Sequence, residues 1–183
     1  MGVSVSAAFA VVNRIDDFAY TPEQNIAHAM TALMAQNKGA GKIDRMKEGF
    51  RCGIILETIY GILIFIICFA LARPLMMMFV KDEEVIGHGV TYLHLISVMY
   101  LLPALTNGIQ GFFRGIGDLK ITLISSFINM ALRVLAAAPL VFIWKMGIEA
   151  LPYSYLAGWI GMLVAETPLL LKTYKTWGKK AGQ

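Results

Sequence analysis

Several stretches of this chain stay apolar for about twenty residues at a time, which is the length a helix needs to cross the hydrocarbon core of a bilayer. Gly53 to Ala72 carries one charge, Glu57, and Val85 to Phe113 carries none while its histidines are neutral. Ile121 to Trp144 is interrupted only by Arg133, and Ala150 to Leu171 only by Glu166. Hydrocarbon offers no partner for backbone N–H and C=O groups, so such segments must satisfy them internally as helices. With 57% hydrophobic and 15% charged residues, the chain is too apolar for a soluble domain of 183 residues. The expectation is an all-α integral membrane protein. Residues 1–183 form one domain, with five transmembrane helices at about 3–38, 44–80, 83–114, 119–145 and 148–175.

The breaks between these helices carry turn chemistry. Gly39 and Gly41 end the first helix, "VKDEE" separates the second from the third, and Gly115 and Gly117 make a tight turn before the fourth. Pro22 should kink the first helix and Pro103 should bend the third. Basic residues collect at alternate ends. Lys38, Lys42, Arg45, Lys47 and Arg51 follow the first helix, Arg114 and Lys120 follow the third, and Lys172, Lys175, Lys179 and Lys180 lie in the tail. Short cytoplasmic loops carry such an excess, so these ends and the C-terminus are expected in the cytoplasm of a bacterial-type inner or plasma membrane. No cleavable signal peptide is visible, and Cys52 and Cys68 read as reduced, buried small hydrophobes.

The first helix is unusually polar. Asn13, Arg14, Asp17, Tyr20, Thr21, Gln24, His28 and Thr31 recur at intervals of three and four and so share one stripe. A stripe of this kind faces protein or water rather than lipid. It suits the wall of an aqueous, substrate-sized cavity, and equally a polar seam in which Arg14 and Asp17 neutralise each other. The candidate pathway residues are Asn13, Arg14, Asp17, Thr21, Gln24, His28 and, in the fourth helix, Arg133. Glu57 and Glu166 could relay protons or serve as structural pairs. Gly108, Gly111, Gly158 and Gly161 are expected to let helices approach closely.

Soluble-enzyme chemistry finds no foothold. "GAGK" lacks the spacing of a phosphate loop, since Gly39 and Gly41 are one residue apart and Ile43 follows Lys42. The histidines do not share a face, so no metal site is expected, and no convergent catalytic set or cofactor motif appears. Topology already explains the basic clusters, which removes the case for nucleic acid.

Four segments carry a family resemblance. "AMTALMAQNKGAGKIDRMKEG", "MFVKDEEVI", "GFFRGIGDLK" and "INMALRVLAAAP" resemble, in order and spacing, the multidrug and toxic compound extrusion (MATE) transporters of the MOP superfamily. The resemblance implies helices eight to twelve of twelve, part of a six-helix C-terminal lobe, with helix seven and the N-terminal lobe missing as partners. It implies alternating access between two lobes, exchanging small organic substrates, often cationic, for H+ or Na+ as the transported coupling ion. It also favours cavity lining for the polar stripe. In family members whose second lobe binds a cation, acids on helices seven and ten contribute. The helix-ten position falls at about Pro103 here, so that site does not carry over. On this reading the chain is not an enzyme and is inactive alone. A lipid-linked oligosaccharide flippase of the same superfamily, or a non-transporting fragment, are the alternatives.

Overall fold

The computed structural model describes residues 3–147 and 149–180. Its elements are α1 (Val3–Gly39), α2 (Ile43–Ala70), α3 (Ala72–Met77), α4 (Glu83–Ser97), α5 (Leu101–Gly115), α6 (Leu119–Phe142) and α7 (Ala150–Lys180). The helix expected over 3–38 is the single helix α1, continuous through Pro22. Those expected over 119–145 and 148–175 correspond to α6 and α7. Ile148, the expected start of the last one, lies outside the described residues, as do the side chains of Lys179 and Lys180 in the basic tail.

Two expected helices are broken, each beside a proline. The segment 44–80 divides at Leu71 into α2 and α3, because Pro74 has no N–H to give the Ala70 carbonyl and the ladder must restart. The segment 83–114 divides into α4 and α5, bent by 49°. Here Pro103 cannot donate to Met99, and tighter bonds from Tyr100 N to Ser97 O (3.2 Å) and Leu102 N to Met99 O (2.9 Å) carry the chain round the corner. The bend expected at Pro103 therefore falls just ahead of it.

Sequence chemistry also sets the loops. Gly41 (φ 68°) and Gly117 (φ 81°) take left-handed conformations that let the chain reverse after α1 and after α5. The two turns are tied together by Lys38, whose ammonium donates to the Ile116 carbonyl. At the opposite end the Asp82 side chain caps α4 by accepting from Glu84 N at 2.9 Å and Val85 N at 3.3 Å. Arg73 donates to both carboxylate oxygens of Glu83, at 3.0 and 2.8 Å, which joins α3 to α4.

α1 packs against α2, α4 and α5, while α6 pairs chiefly with α7 and α7 leans on α5. The buried face of α1 runs Ala8, Val12, Ile15, Ala19, Ala27, Met30 and Met34, at helical spacing. Opposite it on α5, Gly111 and Gly115 admit the α1 backbone. A Cβ on Gly111 would stand 2.6 Å from the Ala27 carbonyl oxygen, and one on Gly115 would stand 2.6 Å from that of Thr31. Close approach at Gly111 is therefore an observed property of the α1–α5 contact.

By length and composition α2, α6 and α7 suffice to cross a membrane, and the bent pair α4–α5 passes the same test when its two helices are taken together. Their exposed faces carry Ile59, Ile62 and Ile66 of α2 and Leu123, Phe127 and Val134 of α6, an apolar surface suited to lipid. α1 does not meet the same criterion by itself, because Arg14, Asp16, Asp17 and Glu23 interrupt it. The fifth expected span thus depends on its neighbours for its place among the others. Cys68 is buried, but Cys52 is exposed rather than buried as expected, and both are free.

Candidate functional site: a polar cleft between α5, α6 and α7

The α6–α7 pair meets α5 over only part of its length, and an open cleft of about 390 Å³ remains between the three helices. That volume lies within the range of small-molecule sites. Helical spacing places its polar lining. Asn107 and Gln110 are three apart on α5, Ser126, Asn129 and Arg133 follow at three and four on α6, and Trp159 supplies an aromatic wall from α7.

These groups are held from behind. Gln110 Nε2 donates to Glu166 Oε1 at 3.3 Å and to Ser126 Oγ at 3.4 Å, fixing the amide at the cleft floor. Asn129 Nδ2 stands 3.6 Å from the Met162 sulfur, a weak acceptor. The Arg133 guanidinium lies 3.8 Å above the Tyr155 ring, a cation–π contact that orients it along α7. Gly158 makes room for its stem, since a Cβ there would stand 2.6 Å from Arg133 Cγ.

An aromatic chain connects the cleft to α1. Tyr20 stacks on Trp159 (6.4 Å, 25°) and meets Tyr100 edge-on (6.2 Å, 77°). The Tyr100 hydroxyl donates to the buried carboxylate of Asp16. Trp159 of the cleft wall is thereby in ring contact with α1 through Tyr20.

The candidate residues of α1 lie elsewhere. Arg14, Asp17, Thr21, Gln24 and His28 are exposed on the face away from the buried seam, and Asn13 is half-buried at its margin. Thr21 donates to the Asp17 carbonyl at 2.7 Å. Arg14 and Asp17 form no ion pair among the described residues, so the neutralised seam considered from sequence is not what this face presents. His28 lines a smaller hollow of about 180 Å³ with Thr31 and Arg114. Of the seven candidates, only Arg133 lines the cleft.

Sequence reasoning missed Asn107, Gln110, Ser126 and Trp159, which carry no charge and sit in apolar runs. Asp16 and Glu23, charges of the first helix that were not among the pathway candidates, are buried on α1. A signal for the acids existed. Val12, Asp16, Ala19, Glu23, Ala27 and Met30 follow the apolar stripe of α1 at intervals of three and four, so the acids occupy core positions.

The pattern of the MatE family matches residues 1–138 of this chain. The chain belongs to the MatE family. Over 98% of its length it is 29% identical to the probable multidrug resistance protein YoeA of Bacillus subtilis, covering 38% of that protein. It is 24% identical, again over 98% of its length, to the probable multidrug resistance protein NorM of Thermotoga maritima, covering 39%. The fold matches the crystal structure of MATE in the bent conformation with a TM-score of 0.88 at 16% identity, over 96% of this chain and 39% of that one. This MatE chain is thus a multi-pass, all-α membrane protein with the fold of part of a transporter lobe. It spans roughly two-fifths of the length of the curated relatives it matches.

Proposed function

We propose that the chain forms part of a secondary multidrug or metabolite efflux transporter, and that the cleft between α5, α6 and α7 is its share of the substrate path. The observation that carries this reading is a cleft lined by Asn107, Gln110, Ser126, Asn129, Arg133 and Trp159 in a bundle whose α2 and α6 carry exposed apolar faces. Intramembrane polar groups of this kind mark substrate pathways by default. The second element is the exposed stripe Arg14, Asp17, Thr21, Gln24 and His28, which suits a water-filled space shared with a second lobe. On this account the working transporter needs that second lobe and the further helix that completes this one, and exchanges substrate for H+ or Na+ by rocking one lobe against the other. In this reading the basic loops and C-terminus face the cytoplasm, which the excess of lysine and arginine at those ends supports.

The lining supports a substrate class. Arg133 is the charged group of the cleft and Trp159 its stacking surface, so planar molecules with an anionic or hydrogen-bond-accepting edge fit there. Asp17 on the stripe offers the complementary group for cationic parts of a substrate.

Fluorescein, a planar anionic probe, tests this with the chain in lipid nanodiscs. Fluorescence polarisation should show binding that weakens about tenfold, or about 1.4 kcal/mol, in each of Arg133→Ala and Trp159→Ala. Unchanged affinity in both variants would remove the cleft from the substrate path.

A further inference from the structure

We propose that the hollow between α1 and α5 lined by His28, Thr31 and Arg114 is a second binding site, one that takes a phosphate group carried by an anionic lipid or by a soluble molecule. It shares no lining residue with the cleft and goes beyond the substrate path proposed above. Only its assignment to the cytoplasmic side rests on that reading.

Close packing of α1 on α5 builds the hollow. Gly111 and Gly115 bring the α5 backbone against Ala27 and Thr31. The Thr31 hydroxyl ties the two helices there, lying 2.9 Å from the Ala27 carbonyl oxygen and 3.1 Å from that of Gly111. His28 precedes Thr31 by three residues on α1 and Arg114 follows Gly111 by three on α5, so one helical turn from that bond brings both side chains to the same opening. The hollow, of about 180 Å³, is smaller than a site for a drug-sized molecule and suits one polyatomic anion with its water.

Arg114 supplies the need for a ligand. Its Nε is enclosed by protein and has no hydrogen-bond partner, and its guanidinium forms no ion pair among the described residues. An unmatched donor is costly on a neutral group and more so on a charged one. Glu166 of α7 lies within the field of Arg114, but its Oε1 accepts from Gln110 Nε2 at 3.3 Å and it forms no ion pair with the arginine. No carboxylate lines the hollow, so nothing there competes with an anion.

The chemistry of the lining selects phosphate. The terminal nitrogens of a guanidinium take two oxygens at once, and the His28 ring offers a further nitrogen from the facing helix. A carboxylate spends both its oxygens on the arginine, whereas phosphate keeps others for His28. Thr31 shapes the wall, because its hydroxyl hydrogen is already directed at backbone carbonyls. Arg114 lies in the last turn of α5 and His28 on the exposed stripe of α1, which puts the hollow at the basic end of the space assigned to the second lobe.

NMR of the full chain, carbon-13 labelled in its histidine rings and held in dodecyl maltoside, a detergent without phosphate, tests the site. His28→Gln identifies the His28 signal. Inorganic phosphate should shift that signal saturably, while chloride at equal ionic strength does not, and the signals of His88 and His94 should stay in place. Arg114→Gln should weaken the response about tenfold, as expected for a lost charged hydrogen bond. Phosphatidylglycerol acting at lower concentration than inorganic phosphate would make a lipid headgroup the ligand, and the reverse order a soluble phosphate compound; either upholds the site. No saturable shift with either ligand, or the same response in Arg114→Gln, would overturn it. Loss of the response in Arg133→Ala would place the anion in the cleft and overturn it as well. If Arg114→Gln does not fold, phosphate should still slow the modification of Arg114 by phenylglyoxal in the unmodified chain, read by mass spectrometry against the exposed Arg51. Equal modification of Arg114 with and without phosphate would overturn the proposal. Fluorescein binding remains a separate readout, so failure of the cleft and failure of this site give different results.

Discussion

Gly111→Val should destabilise the chain by about 3 kcal/mol, at or beyond the upper end of what overpacking ordinarily costs. A Cβ at this position meets the Ala27 carbonyl oxygen at 2.6 Å and its carbonyl carbon and Cα at 3.2 Å. These are backbone atoms of a long helix, so no side-chain rotation relieves the clash and α1 must move away from α5. The displacement would also strain the bond from Thr31 Oγ1 to the Gly111 carbonyl, 3.1 Å long in the intact chain. Gly87→Ala on α4 is the matched control, because a Cβ there meets nothing within 4 Å. That change should be neutral or slightly stabilising through helix propensity. Unfolding in mixed detergent, followed by circular dichroism, reads both. Similar midpoints for the two variants would mean that α1 and α5 are not in contact at Gly111.

The second large effect is expected at Tyr100→Phe. The Tyr100 hydroxyl is the hydrogen-bond donor to Asp16, and the two residues are 1% and 9% exposed. Removing the hydroxyl leaves a buried carboxylate without that donor, at a cost of about 2 to 3 kcal/mol, as for a lost hydrogen bond to a charged group. The ring remains, so packing against Tyr20 is preserved and the loss reports the polar contact. Replacing both partners, as Asp16→Leu/Tyr100→Phe, should recover most of the stability, because neither polar group is then left unmatched. Additive losses in the double variant would show that Asp16 and Tyr100 do not act as a pair.

The bilayer constraint made much of the fold legible. Apolar runs of sufficient length must be helices, and Pro103 marked the place where α4 and α5 bend. The break at Leu71 was harder to see, because Pro74 lies close to the expected end of a helix, where proline ordinarily raises no alarm. The site was less legible because charge drew attention to the exposed face of α1 rather than to the cleft. Arg14 and Asp17 are conspicuous in sequence yet point away from the other helices, whereas Asn107, Gln110 and Trp159 are inconspicuous yet converge through tertiary packing. Arg133 was readable from either direction, being an isolated charge in an apolar helix. Glu23 and Glu57 illustrate a further limit. Each could be placed on a helix, but that both are buried depends on the close approach of α1, α2 and α5, which small residues such as Gly108 and Gly111 permit and no single segment reveals.

The central claim is that the space between α5, α6 and α7 is a water-accessible path within an apolar bundle. Adjacent residues of α6 provide the most direct test, since Ser126 lines the cleft and Phe127 is on the exposed apolar face. In a cysteine-free background, Ser126→Cys and Phe127→Cys would be exposed in membranes to a charged, membrane-impermeant thiol reagent. The account predicts rapid labelling at position 126, slowed by fluorescein, and little at 127. Equal labelling at the two positions, or labelling at 126 that fluorescein leaves untouched, would contradict it.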